Sequence, residues 1–338
     1  MSDVSDTSLS LPQKAVETQG ADALQLVDVT LPGSQIPFNL TLPVGQVSVV
    51  FGGNRAGKTD LLRLIAGLPT RATGSVVLKG RGLHHLAVRE RPVALVNQAF
   101  INYPHLTVAH NIALPMRSAL VADSGQRVRG IAQQLQIDSL LERYPHELSG
   151  GQQQRLAIAR ALAKQAEILL LDEPLVNLDF KLRESLEREL RALLSEHNLT
   201  VVYASSDRRD AFAMGDWFAL LDGGALVQAG VPMDIYRNPA SLRAMEMLCE
   251  PQLNCWQDAG SICAVRPEHV QLGASSGGFE FEMLLEGQET NGTTTFLFGR
   301  VNGEPWVVHA DGLVSLAMQT SLPVHVSPEH VRRFDGRG

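Results

Sequence analysis

Apolar positions up to about residue 240 alternate between short continuous runs and longer stretches with helical spacing. Short runs follow one another from Leu24 as LQLVDV, NLTLPV and QVSVVFG, and each is typical of a strand. DLLRLIAGL at 60–68 has the spacing of a helix and starts directly after a glycine-rich loop. Further buried strands are predicted at RPVALVNQ, EILLLDE, LTVVYAS and WFALLDGG. Strands that alternate with helices predict an α/β fold with a doubly wound parallel sheet.

Helical spacing dominates three longer stretches of this region. Residues 107–147 are mostly helical in pattern, with a loose stretch near Ser124 and Gly125. SGGQQQRLAIARALAK at 149–164 is predicted to be a helix that begins at its Ser-Gly-Gly turn. The third stretch, 180–197, has the periodicity of a long amphipathic helix.

The composition changes after about residue 240. Pro239 and Pro251 bracket a short helical linker, and short β-like runs separated by Gly, Asn and Pro follow it. Regular short strands with such turns predict a small barrel or sandwich. The sequence therefore predicts a disordered polar tail at 1–21, an α/β domain at 22–240, and a linker helix with a small all-β domain at 241–338.

Bulk composition narrows the function classes. The chain has 338 residues, 44% of them apolar, and a formal net charge of −7. Such an acidic chain is not expected to bind nucleic acid, which usually needs a basic face. No apolar run approaches the roughly 18 residues that span a bilayer, and the N-terminus lacks the basic start and apolar stretch of a signal peptide. We therefore expect any attachment to a membrane to come through partners.

Three cysteines lie close together in the sequence: Cys249, Cys255 and Cys263. They could be a metal cluster, but their spacings are not CxxC and no histidine lies among them. We expect free thiols and a reducing compartment.

The loop GGNRAGKT at 52–59 carries the first candidate chemistry. It lies between a predicted strand and a predicted helix, the context that strengthens a GxxxxGK[ST] match over an ordinary glycine-rich turn. Gly52 and Gly57 let the backbone wrap a phosphate with its N–H groups pointing inwards. Lys58 is placed to reach the β- and γ-phosphates, and the Thr59 hydroxyl can coordinate Mg²⁺.

Two adjacent acids end the apolar run ILLLDEP. Asp172 can bind Mg²⁺ through water, and Glu173 can orient or deprotonate an attacking water. Adjacent acids are often only a solvated strand end, but these follow the phosphate loop and the sequence LSGGQ at 148–152 in order. Gln98, at the end of another predicted strand, can offer a neutral side chain to metal and water.

Together these motifs resemble those of ABC importer ATPases over roughly residues 22–240. GGNRAGKT resembles Walker A, VNQ the Q-loop, LSGGQ the signature, ILLLDE Walker B and NLD at 177–179 the D-loop. AVRPEHVQL at 264–272 is similar to the start of the OB-like regulatory domain of carbohydrate-importer ATPases. The resemblance implies a P-loop NTPase domain with an inserted helical subdomain at about 99–147, followed by an OB-like domain. Two strings, at 97–115 and 173–190, resemble the glycerol and glycerol-phosphate branch.

The resemblance implies an ATP and Mg²⁺ site shared by two subunits, in which Ser149, Gly150 and Gly151 of one chain bind the γ-phosphate held by the other. The implied metal ligands are Thr59, Gln98 and Asp172, and the implied catalytic residues are Glu173, Gln98 and Ser206. The implied ATP-binding positions are Gly52, Gly53, Asn54, Arg55, Ala56, Gly57, Lys58, Thr59, Asp60, Ser149, Gly150, Gly151, Gln152 and Asp179.

The same resemblance implies that the helical subdomain docks against cytoplasmic loops of two membrane-spanning permeases. The chain would lie peripherally at the cytoplasmic face of the inner membrane, opposite a second ATP-binding subunit. ATP binding would close the pair and hydrolysis would reopen it. A periplasmic binding protein would act only indirectly, and the transported molecule would be a carbohydrate or polyol such as glycerol or glycerol-3-phosphate.

Three positions depart from the family pattern. Ser206, in YASSD, stands where the family usually has a histidine that contacts the γ-phosphate, and a serine hydroxyl cannot carry a proton at neutral pH as imidazole can. Arg55 replaces a glycine usual in the middle of the phosphate loop. No aromatic residue for stacking on adenine is evident in LPGSQIPFN at 31–39, because Phe38 has the pattern of a core position.

Two hypotheses account for Ser206. The first is drift within the glycerol-type branch, which resembles this chain in having small hydroxyl residues near this position. The second is an unequal pair, in which this chain's own site hydrolyses slowly while its intact LSGGQ completes the site of a paralogous partner.

Other function classes are less consistent with the sequence. A non-hydrolysing subunit that supports a paralogous ATPase is the main alternative, which the intact Glu173 disfavours. A soluble ABC-type ATPase of ribosomes or DNA repair usually has two cassettes or a coiled-coil insertion, and an exporter ATPase generally lacks the extra β domain. That domain could bind a regulator or serve as a dimer contact.

Overall fold

The structure is a computed structural model of the chain. It describes residues 23–116, 121–175, 183, 187–192, 194, 199–273 and 277–335. Three predicted features fall wholly or mostly outside these residues: the tail at 1–21, the NLD sequence with Asp179, and the helix at 180–197.

Strands and helices alternate along the chain as far as residue 247, as the sequence pattern predicts. The strands are β1 (Ala23–Thr30), β2 (Phe38–Pro43), β3 (Val47–Phe51), β4 (Thr73–Leu78), β5 (Arg81–Gly82), β6 (Val93–Val96), β7 (Ile168–Asp172), β8 (Thr200–Ser205), β9 (Trp217–Asp222) and β10 (Ala225–Gly230). The helices are α1 (Lys58–Ala66), α2 (Val108–Ala113), α3 (Val121–Gln134), α4 (Gly150–Ala163), α5 (Arg208–Met214), α6 (Pro232–Arg237) and α7 (Leu242–Met247).

A six-stranded sheet in the order β10-β9-β3-β8-β7-β6 forms the centre of this region. Its strands are parallel except for the edge pair of β9 and β10. Successive side chains of β7 enter two different cores, with Ile168 and Leu170 on one face and Leu169 and Leu171 on the other. Both faces are therefore covered, which explains why ILLLD is continuously apolar rather than alternating. The predicted α/β fold is confirmed.

An antiparallel sheet, β2-β1-β4-β5, shares one of these cores with α1. Leu24 and Leu78 of this sheet are buried with Leu61 and Leu62 of α1. Phe38, the first residue of β2, packs against the same core while partly exposed, which agrees with its predicted core position. This arrangement fixes α1, and the loop before it, against the central sheet.

Helices α2, α3 and α4 pack into the core on the opposite face. The predicted loose stretch at Ser124 and Gly125 is wrong, because α3 runs through both residues. A glycine inside a helix costs about 1 kcal/mol relative to alanine, and the burial of Val128 and Ala132 on the same helix more than offsets that cost. Within the described ranges, no helix combines the length and apolar character needed to cross a membrane.

Short strands make up most of the chain after α7. They are β11 (Asn254–Asp258), β12 (Ser261–Val265), β13 (Val270–Leu272), β14 (Phe279–Thr290), β15 (Thr294–Val301), β16 (Glu304–Asp311), β17 (Ser321–Val326) and β18 (Arg332–Asp335). They form a three-stranded sheet, β11-β12-β18, and a five-stranded sheet, β13-β17-β14-β15-β16. Trp306 is buried in their core, and Trp256 packs against it with ring centroids 5.8 Å apart. The region fits the predicted OB-like domain. The cysteines Cys249, Cys255 and Cys263 are free thiols, as the sequence predicts.

The loop between β3 and α1 turns sharply through two residues in the left-handed region. Gly57 has φ 98°, and a Cβ added there would lie 2.9 Å from Cδ1 of Leu31. Arg55 has φ 64° although it carries a side chain, and that side chain is exposed. An L-residue pays roughly 1–2 kcal/mol for this conformation, so Arg55 adds strain where glycine would not.

We expect the substitution Arg55→Gly to raise the free energy of unfolding by about 0.5–1 kcal/mol, because glycine adopts the left-handed conformation without strain. Denaturant unfolding followed by circular dichroism measures this. Arg55→Ala is the control, since it removes the same charge but keeps a Cβ at φ 64°. Equal stabilisation by alanine would assign the effect to charge rather than to backbone conformation.

Candidate active site

The sequence-predicted residues of four separate segments lie at one edge of the central sheet. The phosphate loop follows β3, Glu173 follows β7, Ser206 follows β8 and Gln98 lies beyond β6. Backbone hydrogen bonds join the first three of these strand ends: Gly52 N donates to Ser205 O at 3.3 Å, and Glu173 N donates to Ala204 O at 3.0 Å. The carboxyl ends of parallel strands are where α/β sheets bind ligands.

Lys58 is buried at this edge and has three acceptors for its ammonium group. Its Nζ donates to the carbonyl oxygens of Gly52 at 2.8 Å and Gly53 at 2.9 Å. The third partner is Glu173 Oε1 at 3.1 Å, in an ion pair whose side chains are only 5% and 15% exposed. An ammonium has three donors, so a phosphate oxygen at Lys58 has to replace one of these acceptors.

Asp172 lies beside this pair and accepts a hydrogen bond from Thr59 Oγ1 at 3.2 Å. Burial raises the pKa of the Asp172 carboxyl, and the nearby Glu173 raises it further, while the Thr59 hydrogen bond and Lys58 oppose the rise. A hydroxyl and a carboxylate are hard oxygen donors of the kind that Mg²⁺ prefers. The pair therefore fits one side of a magnesium site, with a negative charge that the protein only partly compensates.

Glu173 has a backbone conformation that is unusual for its residue type. Its φ is 46°, in the left-handed region, directly after the last residue of β7. Non-glycine residues in such conformations occur disproportionately at functional sites, where surrounding contacts hold them. Here the Glu173 N–H bond to Ala204 O and the ion pair to Lys58 do so.

Ser206 and Gln98 are both exposed. The turn that carries Ser206 is held by its neighbour Ser205, whose Oγ donates to Asp207 O and accepts from Asp207 N, both at 3.0 Å. Asp207 also caps α5, since its carboxylate accepts from Arg209 N at 2.8 Å. The backbone around Ser206 is therefore fixed although its own side chain faces solvent.

The LSGGQ sequence forms the start of α4. Ser149 is the N-cap residue: its Oγ accepts from Gln152 N at 3.4 Å, and its N–H donates to Gln152 Oε1 at 3.0 Å. Gly150 is exposed, and an added Cβ there would meet no atom within 4 Å. Among the described residues, no hydrogen bond or ion pair joins this turn to the phosphate loop of the same chain. A helix start of this kind offers free N–H groups to an anion from outside the chain.

Two other residues extend the account of the site. Asp60 directs its carboxylate to Thr70, whose Oγ1 donates to Oδ1 at 2.7 Å. Arg183 was not among the residues singled out from the sequence, yet it contacts both Asp207 and Asp210 in the helix after Ser206. Like charges at helical spacing repel each other, so the spacing of those two acids at a helix start suggests that a cation lies near them.

Comparisons with known proteins agree with this geometry. The family model "ABC transporter" matches residues 37–176. An sn-glycerol-3-phosphate import ATP-binding protein of Rhodopseudomonas palustris (strain BisB18) is 36% identical over 285 residues, 77% of this chain and 78% of that protein. The protein of the same name from Cupriavidus pinatubonensis is 31% identical, over 89% of this chain and 92% of the relative. A putative ATP-binding protein of Brucella abortus (strain 2308) is 30% identical, over 88% and 92%.

Among solved structures, the chain is similar to an ATP-binding cassette protein in a dimeric, post-hydrolysis state bound to ADP and Pi. The TM-score is 0.54 at 26% identity, over 62% of this chain and 98% of that one. The predicted ABC ATPase fold, which binds ATP, is thereby confirmed. The chain belongs to the ABC transporter family, as an ATP-binding import subunit whose ATPase activity is coupled to transport.

Proposed function

We propose that this chain hydrolyses ATP to drive uptake of glycerol-3-phosphate or a related polyol. The observation that supports hydrolysis at this site is the contact of Lys58 with Glu173, beside that of Thr59 with Asp172, at one edge of the central sheet. The substrate rests on the relatives, whose names give sn-glycerol-3-phosphate import.

Lys58 and Glu173 carry the central step. When ATP enters the loop, Lys58 exchanges the Glu173 carboxylate for phosphate oxygens, because all three of its donors have partners in the structure. The exchange frees Glu173 to orient the attacking water and to accept its proton. Backbone N–H groups of the loop from Gly52 to Gly57 hold the phosphates.

Thr59, Asp172 and Gln98 would hold Mg²⁺. The ion commonly takes one or two carboxylates and is completed by substrate phosphates. Asp172 is a buried carboxylate with a raised pKa, which a cation would stabilise in its charged form. When bound, Mg²⁺ neutralises charge on the phosphates.

A second ATP-binding subunit completes the site. Ser149, Gly150 and Gly151 present the start of α4 to the phosphate loop of that subunit, and Gln152 fixes the Ser149 turn. The dimeric state of the structural relative supports this arrangement. The partner is either a second copy of this chain or a paralogue. Ser206 bears on this choice because its hydroxyl can donate a hydrogen bond to phosphate but, unlike the usual histidine, does not carry a proton at neutral pH.

The permease docks in a groove that Asn97, the residue before Gln98, helps to line. A cavity of about 360 Å³ lies between β6 and α4, lined by Val88, Ile101, Pro115 and Arg160 among others. Ile101 is 63% exposed and Val88 46%, so apolar side chains of this cavity face solvent. An apolar helical segment from a cytoplasmic permease loop fits this chemistry. The chain then lies peripherally at the cytoplasmic face of the inner membrane, and a periplasmic binding protein acts on it only through the permeases.

We expect Glu173→Gln to lower ATP turnover by at least about 100-fold and to abolish uptake of glycerol-3-phosphate, because the amide cannot accept the water's proton. The assembled transporter in proteoliposomes allows both readings. Glu142→Gln, at an exposed glutamate of the same chain, is the matched control. Uptake that survives Glu173→Gln would show that hydrolysis at this site is not needed. ATP turnover by the wild-type complex without uptake of glycerol-3-phosphate would contradict only the proposed substrate.

We expect Ile101→Glu to weaken assembly with the permeases by about 10-fold or more, because it buries a charge in the groove. Copurification of the complex measures this. Leu313→Glu is the control, since Leu313 is 73% exposed but lies in the C-terminal β region. Equal assembly of the two variants would place the permease elsewhere on the chain.

A further inference from the structure

The turn that carries Ser206 has an anchor outside the nucleotide loop. Asp207 and Asp210 lie three positions apart at the start of α5, and Asp210 is buried, with a side chain only 3% exposed. Two carboxylates at this spacing repel each other, and burial of one makes the repulsion costly. The start of α5 therefore needs a cation to keep both acids charged.

Arg183 supplies that cation with a fork of three contacts. Its Nε donates to Asp210 Oδ1 at 2.8 Å, and its Nη2 lies 2.6 Å from Asp210 Oδ2 and 2.9 Å from Asp207 Oδ2. A planar guanidinium can bind two carboxylates in this way, whereas an ammonium acts as a single point of charge.

Arg183 is the cation that acts on Asp210. The groups that act on Asp210 are Arg183, Asp207 and Ser205, and those that act on the neighbouring Tyr203 include Glu187. Burial raises the pKa of the Asp210 carboxyl, and the hydrogen bond from Arg183 opposes that rise. Loss of Arg183 therefore favours either protonation of Asp210 or opening of the first turn of α5.

This turn controls the position of Ser206. Asp207 caps α5, and the same residue is bonded through its backbone to Ser205 Oγ. A shift of Asp207 therefore moves Ser206 relative to Glu173 and Lys58, and a displacement near 1 Å in a catalytic group can cost about 100-fold in rate.

We propose that Arg183 is a positioning residue, which holds Ser206 where it acts on the γ-phosphate by clamping Asp207 and Asp210. This inference rests on the proposed function, because it assumes that ATP is hydrolysed at this site. Arg183 acts through Asp207 and Asp210, so its removal lowers kcat and leaves nucleotide affinity nearly unchanged.

The test compares Arg183→Gln, Arg183→Lys and Arg209→Gln in the full-length chain. Arg209 is an exposed arginine on α5, the helix whose start Arg183 contacts, which makes it the matched control. We expect Arg183→Gln to lower kcat between about 10- and 100-fold, with the affinity for a fluorescent ATP analogue within about twofold. Arg183→Lys keeps the charge but loses the fork, so its loss is smaller. Loss of rate in Arg209→Gln equal to that in Arg183→Gln would overturn the inference.

A second readout separates positioning from simple loss of stability. In Arg183→Gln, kcat rises towards wild type as the pH falls, because burial raises the pKa of the Asp210 carboxyl and protonation of Asp210 removes its repulsion with Asp207. Adding Asp210→Asn restores most of the rate at every pH and removes that dependence. If Arg183→Gln does not fold, a wild-type kcat in Arg183→Lys still overturns the inference.

Glu173→Gln in the same assay separates this inference from the proposed function. A wild type no faster than Glu173→Gln overturns both together. An active wild type that is indifferent to Arg183 overturns the positioning role alone, and a loss in Arg183→Gln that Ser206→Ala does not share shows that Ser206 is not what Arg183 positions.

Discussion

The ion pair between Lys58 and Glu173 joins the two halves of the site. Lys58 begins α1 and Glu173 directly follows β7, so their contact connects the phosphate loop to the end of the strand where both acids lie. The pair is largely shielded from solvent, where opposite charges attract more strongly than at a surface. In the proposed function, it also places Glu173, the proposed base, next to Lys58, the proposed phosphate ligand. When Lys58 exchanges Glu173 for phosphate, Glu173 becomes free to act on water.

The rest of the fold serves that contact. The central sheet keeps β3, β7 and β8 in parallel register, and hydrogen bonds from Gly52 and Glu173 to β8 tie the two segments to the same strand. One core, shared with the antiparallel sheet, fixes α1, and the other carries α4 and its exposed LSGGQ turn. Strain at Arg55 and Glu173, both in the left-handed region, is held by this packing.

Local sequence patterns predict the motifs of this chain, but they do not predict which residues of different motifs contact each other. The continuous apolar run before Asp172 and the strand–loop–helix context of Lys58 are local patterns, so both could be predicted. The contact of Lys58 with Glu173 joins residues far apart in the chain, and only the order of strands in the sheet brings them together. Arg183 was missed for the same reason, because the acids it binds follow a different strand. The prediction of a loose stretch at Gly125 was wrong because tertiary packing of the helix outweighed the low helix propensity of glycine. The pairing of eight short strands into two sheets could not be predicted, because no single strand encodes its partners.

The central claim is that Glu173 competes with phosphate for Lys58, and equilibrium binding tests it most directly. The measurement is calorimetric titration of the full-length chain with a non-hydrolysable ATP analogue in the absence of Mg²⁺. Glu173→Gln is compared with Asp172→Asn, which removes the neighbouring carboxylate but keeps the Glu173 carboxylate that pairs with Lys58. The account predicts that Glu173→Gln binds the analogue about 3- to 10-fold more tightly than the wild type, and more tightly than Asp172→Asn. Binding by Glu173→Gln that is no tighter than that of Asp172→Asn would contradict it.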